Sequence, residues 1–432
     1  MTMIETTSAA PRRGGRRGGG SAGLVAALCW AAVVLDGFDL VVLGALIPTL
    51  TGGESPWMTP PQATFVGTIS LVGMTIGALV IGAATDRIGR RRALVGAVLV
   101  FSLFTLGCAL AQDYRQLGLM RFLAGFGLGG CLPTAIAMVT EFSRGRAGKA
   151  STALMTGYHV GAVATALLAL LVLGGLGWRS LFVIGALPGL ALAPLMLRIL
   201  PESPAFLIAK GREAEARAIA ARFGLASADA AVPSGAEARV SAAALFRRPW
   251  LRNSLGIWTT SFMGLLLVYA LNTWLPKLMV AAGYGLTGGL WLLLLLNAGA
   301  ICGLLVAGAV GDRIGLRRAG ILWFAAGAAL LAMLSIKVAP ALLYPLVFLT
   351  GCFVFSAQVL VYAYTAANHP PAVRATALGM SAGVGRLGAI AGPLIGGMLV
   401  SMQIGHPWGF YFFALVGAVG ALALASTRVM RR

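Results

Sequence analysis

A chain of 432 residues in which 59% are hydrophobic and only 11% charged is excluded from the soluble globular class, where about a quarter of residues carry charge. The formal charge of +20 does not point to nucleic acid, because the excess sits in short loops between long apolar runs, and retention of Lys and Arg on one membrane face accounts for it. The composition describes a polytopic, all-α membrane protein whose partner is the lipid bilayer.

Residues 1–23, with Arg12, Arg13, Arg16 and Arg17 among glycines, are expected to form a disordered basic tail. The apolar run that follows is longer than the ~7–15 residue core of a signal peptide, so it is taken as the first span. Twelve spans are expected, at about 24–51, 62–85, 93–112, 116–141, 149–173, 179–199, 253–280, 287–311, 319–337, 341–367, 374–400 and 408–427. They form a first six-helix bundle (24–199), a linker (200–252) and a second bundle (253–428), with a short tail at 429–432. The linker segment from Lys210 to Arg217 is predicted to be a short amphipathic helix at the membrane surface. Basic residues concentrate in alternate loops, which puts both termini on the cytoplasmic face. Cys29, Cys108, Cys131, Cys302 and Cys352 fall in apolar spans without paired spacing. They are expected to be small core residues, neither disulfides nor metal ligands.

Within the first span, Asp36 and Asp39 share one helix face. Counting inward at 1.5 Å per residue puts Asp36 roughly 18 Å deep, near the bilayer midplane. Acids at that depth mark ion or proton pathways by default; a structural ion pair with a neighbouring helix is the competing reading. Arg121, in the outer third of the fourth span, is expected to approach Asp39 and stabilise its anion, unless it snorkels to the interface. His159 in the fifth span can hydrogen-bond a ligand or relay a proton, or simply be satisfied by a neighbouring carbonyl. Arg386 lies near the midplane in the glycine-rich eleventh span, where a guanidinium suits a substrate carboxylate. No nucleophile–base or metal constellation is visible, so an enzyme is not expected.

The two halves repeat. Gly77, Gly82, Asp86-Arg87, Gly89 and Arg91-Arg92 recur in register as Gly303, Gly308, Asp312-Arg313, Gly315 and Arg317-Arg318, half a chain later. Duplicated halves of this kind point to a transporter with its site between them.

The loop after the second span resembles the signature loop of the major facilitator superfamily, and Pro201-Glu202-Ser203-Pro204 fits the same pattern. Asp36-Gly37-Phe38-Asp39 with Gly44, together with Tyr269, Asn272, Trp274 and Pro276, is similar to the aromatic acid:proton symporter family within it. That resemblance implies twelve helices in two pseudo-symmetric halves. It also implies import of an aromatic carboxylate such as a hydroxybenzoate, with protons as coupling ion and no other cofactor, by a monomer in the bacterial inner membrane. Asp36, Asp39 and Arg121 would couple the proton and Arg386 would anchor the carboxylate. His159, Phe38, Tyr158, Tyr269, Asn272, Trp274, Asn297, Gln358 and Tyr362 would line the site. Asp86, Arg87, Arg90, Glu141, Arg144, Asp312 and Arg313 would brace the inner loops and gate. An exporter of drugs or other organic anions, or a non-transporting sensor of the same ancestry, is the alternative.

Overall fold

The computed structural model describes residues 20–143, 147–225, 245–246 and 250–429; the side chains of 20, 21, 86, 147–149, 371, 372 and 375 are also left undescribed. The helices are α1 (Gly20–Leu50), α2 (Pro60–Ile88), α3 (Arg90–Ala109), α4 (Tyr114–Glu141), α5 (Ala147–Leu176) and α6 (Trp178–Ile199), then the short linker helices α7 (Pro204–Ala209) and α8 (Glu213–Phe223). They continue as α9 (Leu251–Ala281), α10 (Leu286–Ile314), α11 (Leu316–Met333), α12 (Pro340–Asn368), α13 (Pro371–Ser401) and α14 (Phe410–Ser426). Among the described residues, twelve of these elements are long and apolar enough to cross a membrane. In lipid this is one of two ways a chain can satisfy every backbone polar group, the closed barrel being the other.

The ends differ in detail from the predicted ones. The last turn of α11 stops at Met333 rather than near 337, and a kinked turn at Gly405–Gly409 precedes α14. Helix α1 already begins at Gly20, inside the expected tail, whose first nineteen residues lie outside the described set. The linker segment predicted as amphipathic is helical from Glu213; Ala216, Ala220 and Phe223 are its buried face. Phe223 meets Phe142 edge-on at 5.0 Å, which docks α8 beneath the end of α4. One expectation is corrected. Cys302 is exposed and Cys352 only partly buried, while Cys29, Cys108 and Cys131 are core residues. An outward face of a spanning helix meets lipid, which accepts a thiol as readily as a core does.

The packing repeats between halves. In the first, α1 packs on α5, α2 on α4, and α3 on both α4 and α6; in the second, α9 packs on α13, α10 on α12, and α11 on both α12 and α14. The close α1–α5 approach depends on glycine, since a Cβ on Gly161 would run into the Val34 carbonyl. The halves meet through α1–α9, α2–α13 and α5–α10.

Their described contacts lie toward the end opposite Gly20 and the linker helices α7 and α8. Lys277 Nζ donates to the Thr51 carbonyl at 3.4 Å, Gly67 faces Thr273, and Gly397 faces Thr64. Toward the other end, a side chain at Gly82, Gly308, Gly379 or Gly383 would meet nothing within 4 Å. Described contacts between the halves thus gather at one membrane face, and these four glycines stand uncovered toward the face that bears α7 and α8.

Candidate functional site

Two polar groupings occupy the middle of the bundle, and α1 contributes one aspartate to each. Asp39 is 2% exposed and turned into the first half. The Thr105 hydroxyl of α3 donates to its Oδ1 at 2.5 Å. Arg121 of α4, itself 2% exposed, donates Nη1 to Oδ2 at 2.7 Å and Nη2 to the Asp39 carbonyl at 3.1 Å. Arg121 is thus paired in the protein interior, not extended to the interface. Such a buried pair holds only because each charge has its counter-charge and hydrogen bonds; losing one partner costs about 3–5 kcal/mol.

Asp36, one turn earlier, is fully buried, and neither of its oxygens has a hydrogen-bond partner among the described residues. It faces the interface between halves. Arg386 on α13 lies within electrostatic reach of Asp36 and also of Tyr158, Tyr269 and Tyr362. Arg386 is partly exposed and makes no ion pair among the described residues. Tyr158 is buried with its hydroxyl unpartnered. This is a set of polar atoms that the protein itself leaves unsatisfied: an acid, a guanidinium and phenols from both halves.

A third string crosses between halves beside it. His159 Nδ1 lies 3.3 Å from Asn297 Oδ1, and Asn297 Nδ2 donates to Asn272 Oδ1 at 3.0 Å. Gln358 is buried and near Ser261, with its Oε1 unpartnered. Ser261 in turn bonds Ser381 at 2.6 Å, tying α9 to α13 five residues before Arg386.

Other candidate residues lie apart. The Phe38 ring rests on Gly185 of α6, within the first half. Trp274 is fully buried and spends its indole N–H on the Pro393 carbonyl at 2.8 Å, so it locks α9 to α13. At the face that bears α7 and α8, Glu141 pairs with Arg90 and accepts from the Ser203 hydroxyl; Arg144, its expected neighbour in sequence, lies outside the described residues. Glu202 accepts from the Arg91 backbone N–H at 3.0 Å and from that of Ser203 at 2.9 Å. The described brace is therefore internal to the first half. Arg87, Asp312 and Arg313 are exposed and make no ion pair among the described residues, and the Asp86 side chain is undescribed.

Thr105, Glu202 and Ser203 are the members that sequence reasoning left out of the functional set. The last two were signalled by the Pro201–Pro204 motif. Thr105 carries no such signal, being one hydroxyl among several in an apolar helix.

Known proteins can be set beside this geometry. The family model for the major facilitator superfamily matches residues 29–357 and 290–431. The benzoate transport protein of Acinetobacter baylyi is 32% identical over 91% of this chain and 86% of its own length. The gentisate transporter of Corynebacterium glutamicum is 33% identical over 92% and 85%, and the gallate transporter of Pseudomonas putida 33% over 93% and 90%. Among solved structures, a partially occluded inward-open form of the xylose transporter XylE from E. coli is similar, with a TM-score of 0.74 at 17% identity, covering 93% of this chain and 96% of that one. At that identity the likeness speaks for the fold.

Proposed function

The chain belongs to the major facilitator superfamily, in the family that holds the benzoate, gentisate and gallate transporters, and from that premise we propose that it imports an aromatic carboxylate together with protons. The observation that carries the reading is Arg386: a guanidinium midway along α13, without an ion-pair partner among the described residues, in reach of an unpartnered acid on α1 and three tyrosines. A carboxylate held bidentately supplies the charge that this guanidinium lacks, and Tyr158, Tyr269 and Tyr362 supply faces and edges for a ring.

The two aspartates divide the coupling. Asp39 has both of its oxygens engaged, by Arg121 and Thr105. Asp36 has neither donor nor cation in contact, and a bare buried charge is costly, so the neutral, protonated acid suits its surroundings. In this reading Asp36 takes up the proton when the site faces outward and gives it up inside, once rocking of the halves has opened the inner face. Arg386 and Asp36 lie in electrostatic reach of one another from opposite halves, so anion and proton travel together. The face that bears α7 and α8 is assigned to the cytoplasm, on the side of the basic loops, and the membrane to the bacterial inner membrane. A single copy carries the whole site.

The test is uptake by inside-acidic and inside-alkaline membrane vesicles, using labelled benzoate, hydroxybenzoates and a non-aromatic acid such as lactate. Accumulation of an aromatic acid that follows the pH gradient and collapses with a protonophore is the expected result. Gradient-independent uptake, or equal uptake of lactate, contradicts the reading.

A further inference from the structure

The amide string beside the site fixes more than a shape. Asn297 Nδ2 donates to the Leu293 carbonyl at 3.1 Å and to Asn272 Oδ1 at 3.0 Å. A backbone carbonyl can only accept, so the amide orientation is determined and both of its hydrogens are used. Asn297 Oδ1 is then the atom facing His159 Nδ1 at 3.3 Å, and an oxygen without hydrogen requires the imidazole to carry its proton on Nδ1. His159 is 5% exposed and makes no ion pair among the described residues. Its ring edges meet Tyr158 at 5.0 Å and Phe355 at 5.5 Å. In the neutral ring, Nε2 is left as a bare acceptor, and nothing among the described residues donates to it. At the other end of the string, Asn272 Nδ2 is a buried donor without a partner.

We propose that His159 Nε2, held in the acceptor state by the Asn272–Asn297 amide pair, receives the hydroxyl of a ring-hydroxylated aromatic acid and makes this transporter prefer such acids to their unsubstituted parents. The inference rests on the reading of Arg386 as the carboxylate anchor. Tyr158 is the link between the two, since it lies in electrostatic reach of Asp36 and Arg386 and touches the imidazole. An acceptor in the site that benzoate leaves without a protein or substrate donor is a penalty that a phenol relieves, which is how a site built for a hydroxyl rejects the analogue lacking it. Had Asn297 been a leucine, nothing would set the tautomer, and a ring hydroxyl would meet an N–H as readily as a lone pair.

The experiment compares initial uptake rates of benzoate and of its 2-, 3- and 4-hydroxy derivatives in the same vesicles, for the full-length wild type and for His159→Leu, His159→Gln and Asn297→Leu. The readout is the ratio of kcat/KM for the best hydroxylated acid to that for benzoate, whatever the absolute rates. We expect a wild-type ratio above one, a fall of about tenfold in His159→Leu, corresponding to one hydrogen bond of ~1.4 kcal/mol, partial rescue in His159→Gln, whose amide oxygen restores an acceptor, and an intermediate ratio in Asn297→Leu. If His159→Leu does not reach the membrane, the His159→Gln and Asn297→Leu ratios decide. A wild type that transports benzoate and its hydroxy derivatives equally, or variants that keep the wild-type ratio, overturn the proposal and leave the carboxylate reading standing. A wild type that transports none of these acids overturns both.

Discussion

Asp36 and Asp39 are the same residue type, three positions apart on one helix, and their surroundings assign them different work. Asp39 has a guanidinium and a hydroxyl on its two oxygens; Asp36 has neither. Asp36→Asn keeps the shape of the side chain and removes its titration. It is expected to exchange labelled for unlabelled substrate across vesicles while failing to accumulate substrate on a pH gradient; accumulation at wild-type level would remove Asp36 from coupling. Arg121→Leu strands an anion at 2% exposure. The expected loss is about 3–5 kcal/mol, read as a large drop in the melting temperature of the detergent-solubilised protein. Arg121→Leu/Asp39→Leu should recover much of it, because no charge is left behind. The Asp39–Arg121 contact is legible from the sequence by counting depth along two spans of known direction. The outward or inward turn of each aspartate is not, because residues three apart share a face only to within about 60°, and that difference sends one into the first half and the other to the interface.

Elements carry these residues by contacts that glycine permits. The α1–α5 contact positions both aspartates, and Gly161 and Gly37 are where it is tightest. Gly161→Val must push α1 away from α5, and uptake is expected to fall more than tenfold at normal membrane levels. Gly174→Val, on the same helix with nothing within 4 Å, serves as the neutral control. At the C-terminal end of α12, His369 is stacked on Trp250 at 5.4 Å and bonded through Nδ1 to the Thr365 carbonyl at 2.8 Å. Burial pushes its imidazole below the ordinary value of 6.5, with the Thr365 bond opposing. A base whose folded-state value is lowered binds its proton more readily when unfolded, so its contribution to stability is complete at high pH and is lost as pH falls below about 6.5. Melting temperature should therefore drop more steeply between pH 7.5 and 5.5 in the wild type than in His369→Gln. Spans and their order were readable from apolar length alone. The use of Trp274 as a bolt between α9 and α13 was not, since nothing in the order of residues distinguishes an aromatic ring that faces a partner helix from one that faces a ligand.

At the scale of the molecule, duplication and twelve spans were evident from the repeated glycines and Asp-Arg pairs, and the face at which the halves meet was not, because one sequence must support both the closed and the parted arrangement. The structure brings the halves together at Gly67 and Thr273 and leaves Gly82 and Gly379 uncovered. Gly67→Cys with Thr273→Cys, in a background lacking the native thiols, is expected to form a disulfide on oxidation, since a Cβ at Gly67 comes within 3.7 Å of the Thr273 methyl. Uptake should stop with the bond and return on reduction; uptake that persists with the bond formed argues against alternation between these arrangements. The inner ends of the two halves share one fastening, Arg91 donating to the Leu197 carbonyl as its repeat counterpart Arg317 does to that of Ala425, and differ in the others. Partly exposed carboxylates, Glu141 and Glu202, fasten the first. Main-chain oxygens fasten the second: Arg317 donates to the Ala425 carbonyl, Arg252 to that of Ser426 at 2.8 Å, and Asn253 to that of Arg428 at 2.9 Å. Mobile counter-ions weaken the attraction between two solvent-facing charges much more than a bond to an amide oxygen. Concentrated electrolyte should loosen the carboxylate fastenings of one copy of an ancestral duplicate and spare its twin, so that the dilution of the surrounding medium bears on how readily this transporter turns over.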